Sequence, residues 1–444
     1  MEQAYRPLEG VKVIELSTMV AAGSCGRMLA DWGCDIIKVE TADGDMFRYF
    51  PKTFYVPCTM DENPLFDNLN AGKRGIVLDL KTTEGMEAMH RMLADADLFL
   101  TNTRPKALKR LGLDYEQLKA RYPKLIMASI NGFGEKGPKA DDPGFDTVAF
   151  WASSGFNADM MVESSESYPV YGAAGPGDII TAMGLCYAIV SALYKRDRTG
   201  EGDYVTTSLY GTALWCFHIM AVATEEQYGY QYPKTRENSS PTASPFRTKD
   251  GEWIMTTILQ IEKQWPILCQ ALGVPEMGDD PRYCTAIAQR DPEVRKYLMK
   301  RLGEIYATKT ADEWCKILTE ADIVNDKLAH YKDMEHSEQA WANEYIHEVI
   351  CPNGKKSILA RPAMRSKKMG IPTWKRGPML GEHTEEVLRE FGYSEEQIRD
   401  MEAKSAAVQL DVSRYPHLDE KWKLKPERSG EPRNRNARTR CSLR

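Results

Sequence analysis

Over the first 130 residues, short apolar runs alternate with longer stretches that repeat their apolar positions every three to four residues. VKVIELS (11–17) and CDIIKVE (34–40) are strand-like, and GSCGRMLADWG (23–33), between them, has helical spacing and stops at glycine. The pattern continues with RGIVLDLK (74–81) as strand, TTEGMEAMHRMLADA (82–96) as helix and DLFLTN (97–102) as strand. YEQLKARYP (115–123) then reads as helix and KLIMASI (124–130) as strand. Strand, helix, strand in this rhythm predicts βαβ units, hence an α/β fold with an open, mostly parallel, Rossmann-like sheet covered by helices on both faces. Ligands of such sheets sit outside the carboxyl ends of the strands, which here are 17–22, 40–45, 80–81, 102–104 and 131–134.

Further along, a helix is expected from Asp178 to Tyr194, a turn at KRDRTGEGD (195–203) and a strand at YVTTSLY (204–210). Residues 228–251, rich in Pro, Ser and Thr, read as a linker. Beyond them come a strand at 252–259 and helices at 262–273, 291–308 and 310–322. The expected organisation is a large domain over 1–225, a linker over 226–250 and a smaller α+β domain over 251–335. The rest of the large domain follows over 336–420, with strand-like KSILARPAMR (356–365) and two helices within 378–404.

Composition changes this picture at one end only. The net charge is −6, which suggests no polyanionic partner, but residues 421–444 carry nine Lys/Arg against two Glu and lack apolar periodicity. Such a segment is expected to be a disordered basic tail. The first residues show no signal-peptide pattern, and no stretch is expected to approach the ~20 apolar residues of a membrane helix. The ten cysteines and seven histidines form no CxxC or His cluster, so neither a zinc site nor a disulfide framework is indicated. A cytoplasmic protein without nucleic-acid or membrane partners is the expectation.

One joint between elements carries candidate chemistry. GAAGPGD (172–178) leads into the apolar helix IITAMGLCYAIVSALY, with Asp178 at the junction. Asp is a good N-cap, because its oxygens accept hydrogen bonds from the unpaired N–H groups of a first turn. Capping alone leaves the preceding glycines and alanines unexplained; small residues give a bulky substrate access to the carboxylate. The helix N-terminus also favours the anion, the form able to attack a carbonyl.

GPGDIITAMGLCYAIVSALYKRDRTGEGDYVTTSLY (175–210) closely resembles the signature of family III CoA-transferases, in which the Asp after the glycines is the nucleophile. LEGVKVIELSTMVAAGSCGRMLADWGCDIIKVE (8–40), NAGKRGIVLDLKTTEG (70–85), PGFD (143–146) and LGEHTEEVLREFGY (380–393) resemble its other motifs, in order. The resemblance spans about residues 8–405. Within the family the chain resembles the transferases of amino-acid-fermenting anaerobes that move CoA between 2-hydroxy acids and enoyl or saturated acyl-CoA partners, such as those for phenyllactate and 2-hydroxyisocaproate.

The resemblance implies a transferase (EC 2.8.3) with Asp178 as catalytic residue, no metal and no permanently bound cofactor, and an acyl-CoA thioester and a carboxylic acid as substrates. It implies CoA contacts from Val20 and Ala21, from Leu78, Asp79, Leu80 and Lys81, from Asn102, Thr103, Arg104 and Arg110, and from Asn131, Gly132 and Phe133. The cations Lys81, Arg104 and Arg110 suit phosphates. It also implies an interlocked homodimer. Compared with formyl-CoA transferases, Val20 stands in place of a glutamine, Asn131 and Phe133 replace a Lys and a Tyr, and a capping glycine run is missing near TTILQIEKQW (256–265). Each change makes the pocket less polar and favours an apolar, aryl or branched acid. Two alternatives share these features. A 2-methylacyl-CoA racemase needs a mid-loop His where this chain has Phe145, a side chain unable to carry a proton; a non-catalytic CoA-binding subunit would bind thioester without turnover.

Overall fold

The computed structural model describes residues 6–59, 62–161, 175–351, 355–362, 364–370, 372, 374 and 376–409. The first part of the glycine-rich segment, 172–174, and the basic tail, 421–444, lie outside the described residues.

Six strands build the main sheet: β1 (Lys12–Leu16), β2 (Asp35–Glu40), β3 (Arg74–Val77), β4 (Leu98–Thr101), β5 (Ile126–Asn131) and β6 (Tyr204–Ser208). Their spatial order is β3-β2-β1-β4-β5-β6, and the β1–β2, β2–β3, β1–β4 and β4–β5 pairs are parallel. β1 and β4 are adjacent, so chain order reverses between them. In sheets of this kind that switch point opens the ligand crevice at the carboxyl ends. The apolar residues of these strands are buried on both faces, Val13, Ile14, Ile36, Ile37, Ile76 and Phe99 among them, which is why the strands read as continuous apolar runs.

The connecting helices are α1 (Ala21–Asp31), α2 (Pro64–Asn70), α3 (Thr83–Asp95), α4 (Pro105–Leu111) and α5 (Tyr115–Arg121). The strand expected at 74–81 stops at Val77, because Leu78 leaves the sheet to bridge Ala407. Two short helices, α2 and α4, went unforeseen; each is seven residues long with Pro at its start, too brief to show a period. A four-residue helix, α6 (Phe156–Asp159), follows β5.

The helix expected to end at Tyr194 continues as α7 (Pro176–Thr199), absorbing much of the expected turn. Its best apolar window has a mean hydropathy of 1.5, so by length and composition alone it is long enough to cross a membrane; this corrects the expectation that no such stretch exists. One face, with Thr181, Ala182, Leu185, Ile189 and Ala192, is buried in the protein, whereas Ile180, Met183, Tyr187, Val190 and Tyr194 are exposed. The strand expected at 204–210 ends at Ser208, whose hydroxyl caps α8 (Leu209–Ala223) by accepting the Gly211 N–H.

The fold divides into two compact units. Among the described residues, one holds those within 6–130, 185–206 and 347–409, and the other those within 131–184 and 207–346. The second unit contains a three-stranded antiparallel sheet of β7 (Pro245–Arg247), β8 (Trp253–Thr257) and β9 (Val324–Lys327). With α9 (Ile261–Ala271), α10 (Pro292–Tyr306) and α11 (Ala311–Glu320) it encloses a core around Phe246, Trp265, Tyr306 and Trp314. Later come α12 (Glu338–Ala342), the paired strands β10 (Ile346–Ile350) and β11 (Lys356–Ala360), and α13 (Thr384–Glu390) and α14 (Glu395–Ala403). Val387, Leu388, Ile398 and Met401 from the last two helices join the core that covers β3 and α3.

Candidate active site

Asp178 is the third residue of α7, not its cap. The cap position is filled from elsewhere in the chain by Asp146, at the start of a π-helical stretch over Asp146–Trp151. One Asp146 oxygen, Oδ1, accepts the Asp178 N–H at 3.0 Å, and Oδ2 accepts the Gly175 N–H at 2.8 Å. The Trp151 indole N–H donates to the same Oδ2 at 3.1 Å and fixes the carboxylate. The first-turn donors of α7 are thus served by a side chain outside the helix. Among the described residues, no hydrogen bond or ion pair reaches the Asp178 carboxylate itself.

The packing that allows this depends on Gly177. A Cβ at that position would lie 2.2 Å from Asp146 Oδ1 and 2.4 Å from the Phe150 ring, so any larger residue would push the cap away from the helix. The glycine before α7, Gly175, has φ +105°, a region that side-chain-bearing residues avoid. These two positions give the small-residue segment a local structural reason.

Burial raises the Asp178 carboxyl to about 7, and the neighbouring negative Asp146 adds to the shift. Burial likewise raises Asp146, opposed by its hydrogen bonds from Gly175 and Trp151. A carboxylate that is costly to keep charged and receives no compensating hydrogen bond is a stronger base and nucleophile than an ordinary surface Asp. Phe150 packs beside Gly177 at this helix start and belongs to a cluster with Trp151, Phe156 and Phe217, whose ring contacts have centroids 5.0–6.2 Å apart.

In the second unit with Asp178 lie Asn131, Gly132 and Phe133. Asn131 Oδ1 accepts the Gly134 N–H, and Gly132 meets Gly144 so closely that a Cβ on Gly132 would stand 2.7 Å from the Gly144 Cα. This contact ties the end of β5 to the PGFD loop. Phe133 is half-buried, with the Lys139 ammonium 4.9 Å from its ring centre. Phe145 is 59% exposed.

The remaining candidates belong to the first unit and gather at strand ends. Val20 and Ala21 begin α1 and are buried, and Leu78 is buried after β3. The Leu78 N–H is already engaged by the Glu40 carbonyl. Asp79 and Lys81 are exposed with Leu80 half-buried between them, and Asp79 Oδ1 accepts the Lys81 N–H. Asn102 and Thr103 follow β4, half-buried, while Arg104 and Arg110 are exposed at the start and end of α4. At the switch point Asn102 bonds both to the Thr18 N–H at 3.1 Å and to the Thr18 carbonyl at 2.7 Å. Among the described residues, no group of three or more His, Cys, Asp and Glu side chains is placed to hold a metal.

Asp146 was missed by reading the sequence, which weighed only Phe145 in PGFD. The available signal was the acid that ends that motif; nothing local indicated that it would cap a helix 32 residues away.

Fold and site together define an open α/β protein with a carboxyl group, raised by burial, at a helix start. The profile of CoA-transferase family III matches residues 8–384. The chain is 39% identical over 392 residues to (R)-2-hydroxy-4-methylpentanoate CoA-transferase of Clostridioides difficile, covering 88% of this chain and 97% of the relative. It is 37% identical over 404 residues to cinnamoyl-CoA:phenyllactate CoA-transferase of Clostridium sporogenes, covering 90% and 97%. A crystal structure of a CAIB/BAIF family protein from Brucella suis matches with a TM-score of 0.73 at 28% identity, covering 87% of this chain and all of that one. The chain belongs to CoA-transferase family III and is an enzyme of that class, acting on a CoA thioester.

Proposed function

We propose that the enzyme transfers CoA from an acyl-CoA to an apolar, aryl or branched 2-hydroxy acid through covalent intermediates on Asp178. The observation that carries the reading is the Asp146 cap: it serves N–H groups at the start of α7, while among the described residues the Asp178 carboxylate has no hydrogen-bond partner and burial raises it to about 7. The names of two relatives, one for a branched and one for an aryl 2-hydroxy acid, support the substrate class. So do Val20 and Phe133, which replace more polar residues of formyl-CoA transferases.

The steps balance without a redox partner or net proton. The Asp178 carboxylate attacks the donor thioester carbonyl, the C–S bond breaks, and CoA leaves as thiolate. The thiolate attacks the aspartyl carbonyl of the mixed anhydride, releasing the donor acid and leaving an aspartyl-CoA thioester. The acceptor carboxylate attacks that thioester and expels thiolate, forming a second anhydride. Thiolate attack on its acyl carbonyl gives the new acyl-CoA and restores Asp178. Thiolate is a competent leaving group because thiols ionise near pH ~8.5. Backbone N–H groups placed at each tetrahedral oxyanion contribute roughly 3–4 kcal/mol apiece in other enzymes. In this reading CoA is held by Val20, Ala21, Leu78, Asp79, Leu80, Lys81, Asn102, Thr103, Arg104, Arg110, Asn131, Gly132 and Phe133.

We also propose a homodimer. The exposed residues Ile180, Met183, Tyr187, Val190 and Tyr194 of α7 repeat at three and four positions, the spacing of a helix-packing seam. A second copy covering this stripe would remove a large apolar surface from water.

The mechanism is tested by incubating enzyme with acyl-CoA, adding hydroxylamine and analysing peptides by mass. Modification confined to the peptide containing Asp178 is expected; an unmodified Asp178 in an enzyme that turns over would exclude the covalent route.

A further inference from the structure

The turn between β1 and α1 is held in a conformation its sequence does not favour. Met19 has φ +64°, left-handed backbone that is costly for any residue carrying a Cβ. Two neighbours grip the turn. Asn102 bonds both backbone groups of Thr18, and Asp45 Oδ1 accepts the Met19 N–H at 2.8 Å. Asp45 is 1% exposed. Its Oδ1 also accepts the Phe47 N–H at 2.9 Å, and its Oδ2 lies 3.0 Å from the buried Lys38 ammonium, so its direction is set on both sides.

Immediately after Met19 the chain turns right-handed at Val20 and enters α1, which has no side-chain cap and no acid in its first turn. The first backbone bond runs from the Ser24 N–H to the Val20 carbonyl. The donors before it are therefore aimed by the Met19 turn, at the switch point where β1 and β4 diverge.

We propose that Asp45 is a positioning residue for acyl-CoA, holding Met19 left-handed so that the Val20–Ala21 backbone faces the substrate. The inference rests on the reading above that Val20 and Ala21 contact CoA. An Asp45 that only neutralised Lys38 would affect stability without acting selectively on one substrate.

The experiment is steady-state kinetics with each substrate varied in turn, plus thermal melting, on the full-length enzyme. Asp45→Ala and Met19→Val are each expected to raise the KM for acyl-CoA about tenfold, the size of a lost left-handed conformation, with kcat and the KM for the acid within about twofold. Asp45→Asn, which keeps an acceptor oxygen, should stay near the parent. Glycine takes positive φ at little cost, so adding Met19→Gly to Asp45→Ala should return most of the lost affinity. Should Asp45→Ala not fold, Met19→Val decides, since it leaves the buried charges untouched. A folded Met19→Val enzyme with unchanged acyl-CoA KM, or with both KM values raised equally, overturns the proposal. Arg104→Ala separates the two layers: if it raises the acyl-CoA KM while Met19→Val does not, positioning fails alone. If neither variant changes that KM, the CoA-contact reading fails with it.

Discussion

Asp146 accepts the backbone N–H of Asp178 at 3.0 Å and so takes the capping role that local sequence assigns to Asp178. Among the described residues the carboxylate of the proposed nucleophile is left without a hydrogen-bond partner. One acid serves the helix, and the other is the one to which the proposal assigns the chemistry.

Removing the nucleophile should abolish transfer. Asp178→Ala and Asp178→Asn are expected to lower kcat by at least about 10³-fold, as loss of a covalent nucleophile does elsewhere, while CoA binding changes little. Retained turnover in a purified Asp178→Ala preparation would falsify the mechanism; isothermal titration with CoA checks the binding half.

The pH dependence follows from the raised Asp178 carboxyl. Only the anion attacks, so kcat/KM for acyl-CoA should rise with pH through about 7. Asp146→Asn removes the neighbouring negative charge and should move this acidic limb to lower pH, though burial, the larger cause, remains. An unmoved limb would show that Asp146 does not act on Asp178 electrostatically.

Stability should respond with the opposite sense from an ordinary salt-bridged Asp. The folded Asp178 carboxyl sits at about 7, above its unfolded value near ~3.9. The folded state therefore binds the proton more tightly, and this group's contribution to stability falls as pH rises from about 4 to 7. Asp178→Asn, which carries no charge, is expected to gain more in Tm relative to the parent at pH 8 than at pH 5. Equal gains at both would contradict the shift.

Gly177→Ala tests the packing at the helix start. Its methyl would meet Asp146 Oδ1 and Phe150 at distances no Cβ tolerates, so a loss of about 1–3 kcal/mol is expected from overpacking. Activity should fall further than the melting temperature implies, because the displaced group is the cap beside the nucleophile. Denaturant melts and kcat on the same preparation separate the two effects.

The exposed stripe on α7 is open to a size measurement. Tyr187→Glu puts a charge at its centre, where the parent tyrosine is 78% exposed. If a second copy covers the stripe, light scattering should show a shift toward monomer at low micromolar concentration; an unchanged mass would remove α7 from the proposed interface.

By itself, the sequence determined the alternating α/β architecture and the position of Asp178. Both are written in short-range patterns: apolar runs of strand length, helical periodicity, and an acid after small residues at a helix start. It also determined the family, because several ordered motifs are carried along one chain. It did not reveal α2, α4 or α8, since two are too short to show a period and α8 is apolar almost all round, with exposed and buried faces alike. The full extent of α7 was hidden because charged residues at its end look like a turn when read alone. Tertiary structure decided which acid caps α7, and which carboxylate bonds the left-handed Met19. Those outcomes depend on side chains from distant segments meeting at one strand end or helix start, where burial and hydrogen-bond partners set the charge behaviour that no local pattern encodes.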